Sequence, residues 1–179
     1  MRVKLGEILL AAGFTGLMVT LYLAFNWAPS VNIEAFESPE AQRIFYWHVP
    51  AAWAAFIAFA VLFIGSAMWM FKRSSTGWKL HVAGSEAGLA CGLMAVWSGC
   101  VWGAAEWGTP WDWEDYRLNT FGLLTLLALF LVLGRQSQPD GVESRDTFST
   151  FGLYGFVLVP LTYVAVSYTH LRAHETVSD

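Results

Sequence analysis

Charge is what this chain has least of. Only 13% of its 179 residues are Asp, Glu, Lys or Arg, 56% are hydrophobic, and the mean hydropathy is +0.47. So few charges cannot cover a soluble domain, and the composition points to an integral membrane protein with a single membrane domain. A basic tract is also missing, which removes nucleic acid from the partners to be considered. The net charge of -4 says little in such a chain, because what matters is where the positive charges fall along it. Cysteine is nearly absent: Cys91 and Cys100 are the two present, nine positions apart in one apolar run, and they cannot bridge within a helix. They form no Cys-x-x-Cys pair and read as small core residues.

What is present is a series of apolar runs. The first, from about Ile8 to Trp27, is long enough to cross roughly 30 Å of hydrocarbon at about 1.5 Å per residue. Arg2 and Lys4 precede it, but no small-x-small cleavage pattern follows, so it reads as a retained span with a cytoplasmic N-terminus. Further spans are expected from about Ala51 to Phe71, from about Val82 to Ala105, from about Phe121 to Gly134, and from near Phe148 onward, the last kinked by Pro160. The expected fold is therefore an all-α multi-span helical bundle with five spans. Lys72, Arg73, Lys79, Arg135 and Arg145 join Arg2 and Lys4 on the inner side, against Arg43 and Arg117 outside. Gly84, Gly88 and Gly92 recur every four residues and offer a small-residue face for close helix approach. Glu86, about one turn inside the third span, is expected to snorkel to the interface. His81, beside Lys79, is expected in a solvated loop.

Two stretches fit no ordinary connection. Between the third and fourth spans, Trp107-Gly108-Thr109-Pro110-Trp111-Asp112-Trp113-Glu114-Asp115-Tyr116-Arg117-Leu118-Asn119-Thr120 mixes three tryptophans with three carboxylates and an arginine. Thr109 can cap a short helix beginning at Pro110, with the tryptophans forming a shelf at the membrane surface. An aromatic belt would carry the same residues. Before the second span, Arg43 to Pro50 ends in His48-Val49-Pro50, and Pro50 suits a first helical turn, which would leave His48 just outside the helix at the outer interface. An imidazole there could ligate haem iron, although a lone interfacial histidine more often bonds water or a carbonyl.

Trp107-Gly108, Trp111, Trp113, an acid at Glu114 or Asp115, Arg117-Leu118 and Thr120 resemble the tryptophan-rich WWD signature of the cytochrome c maturation proteins, CcmC, CcmF and CcsA, and are most similar to the CcmC branch. The extra Glu114-Asp115-Tyr116 and the inserted Asn119 depart from that signature. The resemblance implies a protein of the bacterial inner membrane that presents haem b at its outer, periplasmic face. It implies Trp107, Trp111 and Trp113 as an apolar shelf, His48 as an axial ligand, Asp112, Glu114 and Asp115 positioning shelf or acceptor, and Arg117 pairing either a haem propionate or a neighbouring carboxylate. The implied partners are the haem chaperone CcmE, the CcmA/CcmB ABC transporter, the small subunit CcmD and the lipid bilayer. The implied role is delivery of haem rather than catalysis. A CcsA-type cytochrome c synthase shares the signature, and a membrane interaction subunit without cofactor would share the aromatic belt.

The family has a sixth span and a second haem-ligating histidine after the fifth. Here the apolar character stops at Val166, and Val166 to Thr176 back-translate to a stretch resembling a transposase sequencing adapter. Residues 1–165 are therefore expected to be the haem-handling domain and 166–179 a non-native tail, with His170 and His174 excluded as ligands.

Overall fold

Helices dominate because the apolar runs must satisfy their own backbone groups in a hydrocarbon environment. The computed structural model describes residues 4–29, 37–162 and 164. Arg2 and the proposed tail with His170 and His174 lie outside the described residues. Five helices follow in order: α1 (Leu5–Asn26), α2 (Phe45–Lys72), α3 (Ser75–Glu106), α4 (Tyr116–Ser137) and α5 (Val142–Gly155), with a 3-10 turn at Pro39–Ile44 leading into α2. No strand occurs among the described residues. The first four helices are each long and apolar enough to cross a membrane, as expected of a helical membrane bundle. Helix α5 and a further helical segment at 158–162 lie where the fifth span is expected.

Three boundaries differ from the sequence reading. Helix α2 starts at Phe45, not Ala51, because the 3-10 turn delivers the chain to it already in helical geometry, with Ile44 at φ -61 and ψ -28. Pro50 then sits inside the helix, where its missing N–H leaves one carbonyl, that of Tyr46, without its usual partner. Helix α3 begins at Ser75, capped by Ser74, whose hydroxyl accepts from the Gly77 N–H at 3.2 Å. The α2–α3 connection is thus only Arg73-Ser74, with Arg73 in the left-handed region at φ 50. Helix α5 begins at Val142, directly after Pro139-Asp140-Gly141, six residues earlier than the expected start near Phe148.

His81 is the sharpest correction. It is not in a solvated loop but fully buried, two turns into α3. The Ser66 hydroxyl donates to the Leu62 carbonyl at 2.7 Å and so accepts from His81 Nδ1 at 2.9 Å. Trp78 stacks on the imidazole at 4.7 Å, and Nε2 has no partner among the described residues. Glycines make this packing possible. A Cβ on Gly65 would come within 2.3 Å of the His81 backbone nitrogen, and one on Gly84 within 2.5 Å of that of Leu62. The α2–α3 hairpin is therefore a backbone-to-backbone interlock, which the regular glycine spacing foreshadows.

The core gathers Ala55, Phe59 and Leu62 of α2, Leu124, Ala128 and Leu131 of α4, and Phe148 of α5. One ion pair and its neighbours fasten the hairpin end: Arg73 meets Asp146, Trp69 Nε1 donates to Asp146 at 2.9 Å, and Arg145 lies over the rings of Trp69 and Trp78 at 5.2 and 5.4 Å. Glu86 does not snorkel alone; it pairs with Arg135 of α4. Helix α5 breaks at Phe156–Val157, four residues before Pro160, where the proline ring would meet a helical carbonyl. The last bonds there are of the tighter i to i+3 kind, Phe156 N–H to Leu153 O at 3.3 Å and Val157 N–H to Tyr154 O at 3.2 Å.

Candidate functional site

At the end of the bundle opposite the hairpin, the α3–α4 loop folds over the first turns of α2. Gly108 turns the chain after Trp107 with φ +73, a conformation that a side chain would strain. The loop contains no helix at Pro110. Instead the Thr109 hydroxyl donates to the Trp111 carbonyl at 2.9 Å, and Asp112 Oδ1 accepts from the Glu114 N–H at 2.9 Å in an Asx-type turn. The cap falls at Asp115, whose Oδ1 accepts from the Arg117 N–H at 2.8 Å and opens α4.

Under this loop lies a cavity of about 360 Å³. His48, Trp107, Trp111 and Arg117 all line it. The structure thus brings together four of the residues read from sequence, contributed by α2, the end of α3, the loop and α4. Trp113 is 81% exposed and does not line the cavity, nor do Asp112 and Glu114, both exposed. Asp115 is not in the lining either, but it holds Arg117 there.

His48 lies within the first turn of α2, not outside it as the sequence reading has it. It is half-buried, and its Nδ1 is 3.1 Å from both the Ala95 carbonyl and Ser98 Oγ. A carbonyl can only accept, so Nδ1 carries the proton. Ser98 spends its own hydrogen on the Met94 carbonyl at 2.7 Å, which leaves its oxygen free to accept as well. The Nε2 lone pair has no hydrogen bond among the described residues and belongs to a ring that lines the cavity. Such a fixed tautomer is how proteins present an imidazole to a metal. Gly99 permits the ring's approach, since a Cβ there would stand 3.1 Å from His48 Cε1.

Arg117 is gripped by Asp115: Nε lies 3.0 Å from each carboxylate oxygen, and Nη2 contacts Oδ2. Burial alone would push the Asp115 carboxyl up, but the Arg117 side-chain and backbone hydrogen bonds outweigh it and hold Asp115 below the usual carboxylate range.

The rest of the wall is aromatic and aliphatic. Trp107 meets Trp102 edge-on at 4.7 Å, and Trp102 packs on Phe45 at 5.0 Å. Phe45, Ala52 and Phe56 line the cavity from the same face of α2 as His48, and Trp102 does so from the face of α3 that carries Ala95 and Gly99. Sequence reasoning missed these residues. Their spacing from His48, at -3, +4 and +8, is that of one helix face and would have found them had α2 been started at Phe45. The Trp102 indole nitrogen is buried at this wall and has no acceptor among the described residues.

Among the described residues no group of three or more His, Cys, Asp or Glu could hold a metal ion. The free Nε2 of His48 is one donor, and one such donor suits a metal that brings its other ligands with it, as a metalloporphyrin does. The lining fits such a group: flat aromatic walls, one imidazole nitrogen, and one guanidinium within reach of a carboxylate.

Comparison with known proteins agrees with this chemistry. The family model CcmC, heme exporter protein C, matches residues 2–178. The heme exporter protein C of Rhodobacter capsulatus is 26% identical over 162 residues, covering 88% of this chain and 65% of that protein. That of Escherichia coli is 32% identical over 159 residues, covering 84% of this chain and 61% of that protein. A cytochrome c biogenesis protein CcsA from Arabis hirsuta is 26% identical over 106 residues, which is 59% of this chain and 28% of that protein. The chain thus spans under two thirds of the length of the exporters that it matches.

Proposed function

The chain belongs to the CcmC family of heme exporter proteins, and from that premise we propose that it binds haem b at the loop end of the bundle and hands it on for cytochrome c maturation. Haem is cargo in this reading, not a resident cofactor. The observation behind it is the His48 imidazole, tied through Nδ1 to the Ala95 carbonyl and lining one cavity with Trp107, Trp111 and Arg117.

His48 Nε2 supplies an axial ligand to the iron. Trp107, Trp111, Phe45 and Trp102 supply apolar contact, and the outer edge of Arg117, still bound to Asp115, faces a propionate. At about 360 Å³ the cavity is near the small end of the range for small-molecule sites, about 300–1,000 Å³, so a macrocycle would be held along part of its surface with an edge left uncovered. An uncovered edge suits transfer, because an acceptor can engage the ligand before release. Trp113, Asp112 and Glu114, exposed on the same loop as Trp111, then serve the acceptor rather than the haem.

The acceptor we propose is the haem chaperone CcmE, with CcmA/CcmB and CcmD as the associated transporter and small subunit. The membrane is the bacterial inner membrane and the loop end faces the periplasm, in keeping with the positive charges gathered at the hairpin end. A CcsA-type synthase role is the weaker reading, since the similarity to such a protein covers only 28% of it.

Titration of the purified protein in mild detergent with ferric haem tests the proposal. A saturable Soret band that Trp111→Ala weakens is the expected result. A protein that stays colourless with excess haem would sink it.

A further inference from the structure

The side chain that forms the loop's wall of the cavity is itself seated on α4. Trp111 Nε1 donates to Asn119 Oδ1 at 3.2 Å, and the other end of the same amide, Nδ2, donates to the Trp113 carbonyl at 2.7 Å. One asparagine thus fixes both the indole of Trp111 and the backbone two residues beyond it. Three positions along the helix, Gly122 lies directly beneath the ring. A Cβ there would stand 3.0 Å from Trp111 Cη2 and 3.2 Å from Cζ2, tighter than ordinary contact. Residues three apart share a helix face, so the amide that accepts the indole N–H and the gap that admits its benzo edge are presented side by side. The amide's two ends require this orientation, because its oxygen can only accept and its nitrogen can only donate.

We infer that Asn119 and Gly122 are positioning residues that seat the Trp111 indole as a cavity wall, and that this seat sets the fit of a planar aromatic macrocycle. The inference rests on the haem-handling reading and deepens it. In the sequence Asn119 stands out only as an insertion into the WWD signature. Its position in α4 explains its presence, since among the described residues it makes the side-chain bond that holds the Trp111 indole against the helix. Gly122 gives the seat its depth, and a methyl group there pushes the ring toward the ligand space.

Two probes separate the seat from iron ligation. Metal-free protoporphyrin IX presents the same flat surface as haem but nothing for His48 to bind. The full chain, labelled with 5-fluorotryptophan and with the Trp111 resonance assigned through Trp111→Phe, reports ring position by 19F NMR, and the remaining tryptophan resonances report the fold. In Asn119→Leu and in Gly122→Ala the Trp111 resonance moves while the others hold. Affinity for metal-free porphyrin falls about tenfold, the size expected when a ring loses the hydrogen bond or the clearance that orients it. Asn119→Asp, which keeps the acceptor for the indole but loses the donor to the Trp113 carbonyl, recovers only part of the loss seen in Asn119→Leu. Wild-type affinity in both Asn119→Leu and Gly122→Ala would overturn the seat and leave the haem reading standing. A wild type that binds neither ferric haem nor metal-free protoporphyrin IX would overturn the haem reading and this inference with it.

Discussion

At the residue scale, the site depends on side chains whose hydrogen bonds leave them a single role. His48 is held through Nδ1 by Ala95 and Ser98 of α3, so its ring cannot turn to serve the loop. Asp115 caps α4 and grips Arg117 at once, and its carboxyl is held below the ordinary range. A carboxylate with a depressed folded pKa stabilises fully above its unfolded value, about 3.9, and loses that contribution as pH falls through the lower folded value. The loop should therefore keep its order through mildly acidic conditions and loosen only below about pH 4. Tryptophan fluorescence followed from pH 7 downward checks this, with Asp115→Asn expected to show a loosened loop already at neutral pH. His81, fully buried against Ser66 and Trp78, makes a second case. His81→Ala should cost about 2–4 kcal/mol through the void and the lost stacking, measurable by unfolding in detergent mixtures. The sequence misleads at this residue because Lys72, Arg73 and Lys79 suggest a long solvated loop, while the actual turn is two residues and the buried face starts at once. Gly65 admits the His81 backbone and Gly152 of α5 lies against the imidazole, and isolated glycines show nothing of their partners in sequence.

At the element scale, glycine decides which helices interlock. A Cβ on Gly65 or Gly84 would sit within 2.3 or 2.5 Å of a backbone nitrogen on the facing helix, whereas a Cβ on Gly13 of α1 would meet nothing within 4 Å among the described residues. Gly65→Ala and Gly84→Ala should each destabilise by about 1–3 kcal/mol or more, because backbone cannot move aside as a side chain can. Gly13→Ala should be neutral or gain up to about 1 kcal/mol from helix propensity. Thermal retention of the folded band in detergent distinguishes the two groups. The four-residue spacing of Gly84, Gly88 and Gly92 makes the close-packing face of α3 legible, Gly84 and Gly88 meeting α2 and Gly92 meeting Thr125 of α4, as Pro160 does the break in α5. Helix starts are less legible, because Pro50 signals a first turn although the 3-10 turn at Pro39–Ile44 has already begun the helix. The same signal places His48 outside α2 and hides Phe45, Ala52 and Phe56, which share its face. Trp107, Trp111 and Arg117 stand out by residue type alone, yet type does not tell that Trp113 stays exposed, since that follows from the Asx turn at Asp112.

At the scale of the whole molecule, two ends with different chemistry are joined by one apolar bundle. Lys72, Arg73, Lys79, Arg135 and Arg145 lie toward the hairpin end, while His48 and the aromatic cavity lie at the other. Positive charge is retained on the cytoplasmic side, so a cysteine placed at Asp140 should be labelled from the cytoplasm and one at Glu114 from the opposite face, in a Cys91→Ser/Cys100→Ser background. Labelling of both from one side would contradict the topology. Whether His48 carries haem iron in the aromatic cavity is decided by the visible spectrum of His48→Gly with and without added imidazole. A weakened and shifted Soret band is predicted for His48→Gly, with a return toward the wild-type spectrum as free imidazole occupies the space vacated beside Gly99. A Soret band unchanged by His48→Gly and indifferent to imidazole would contradict ligation by His48.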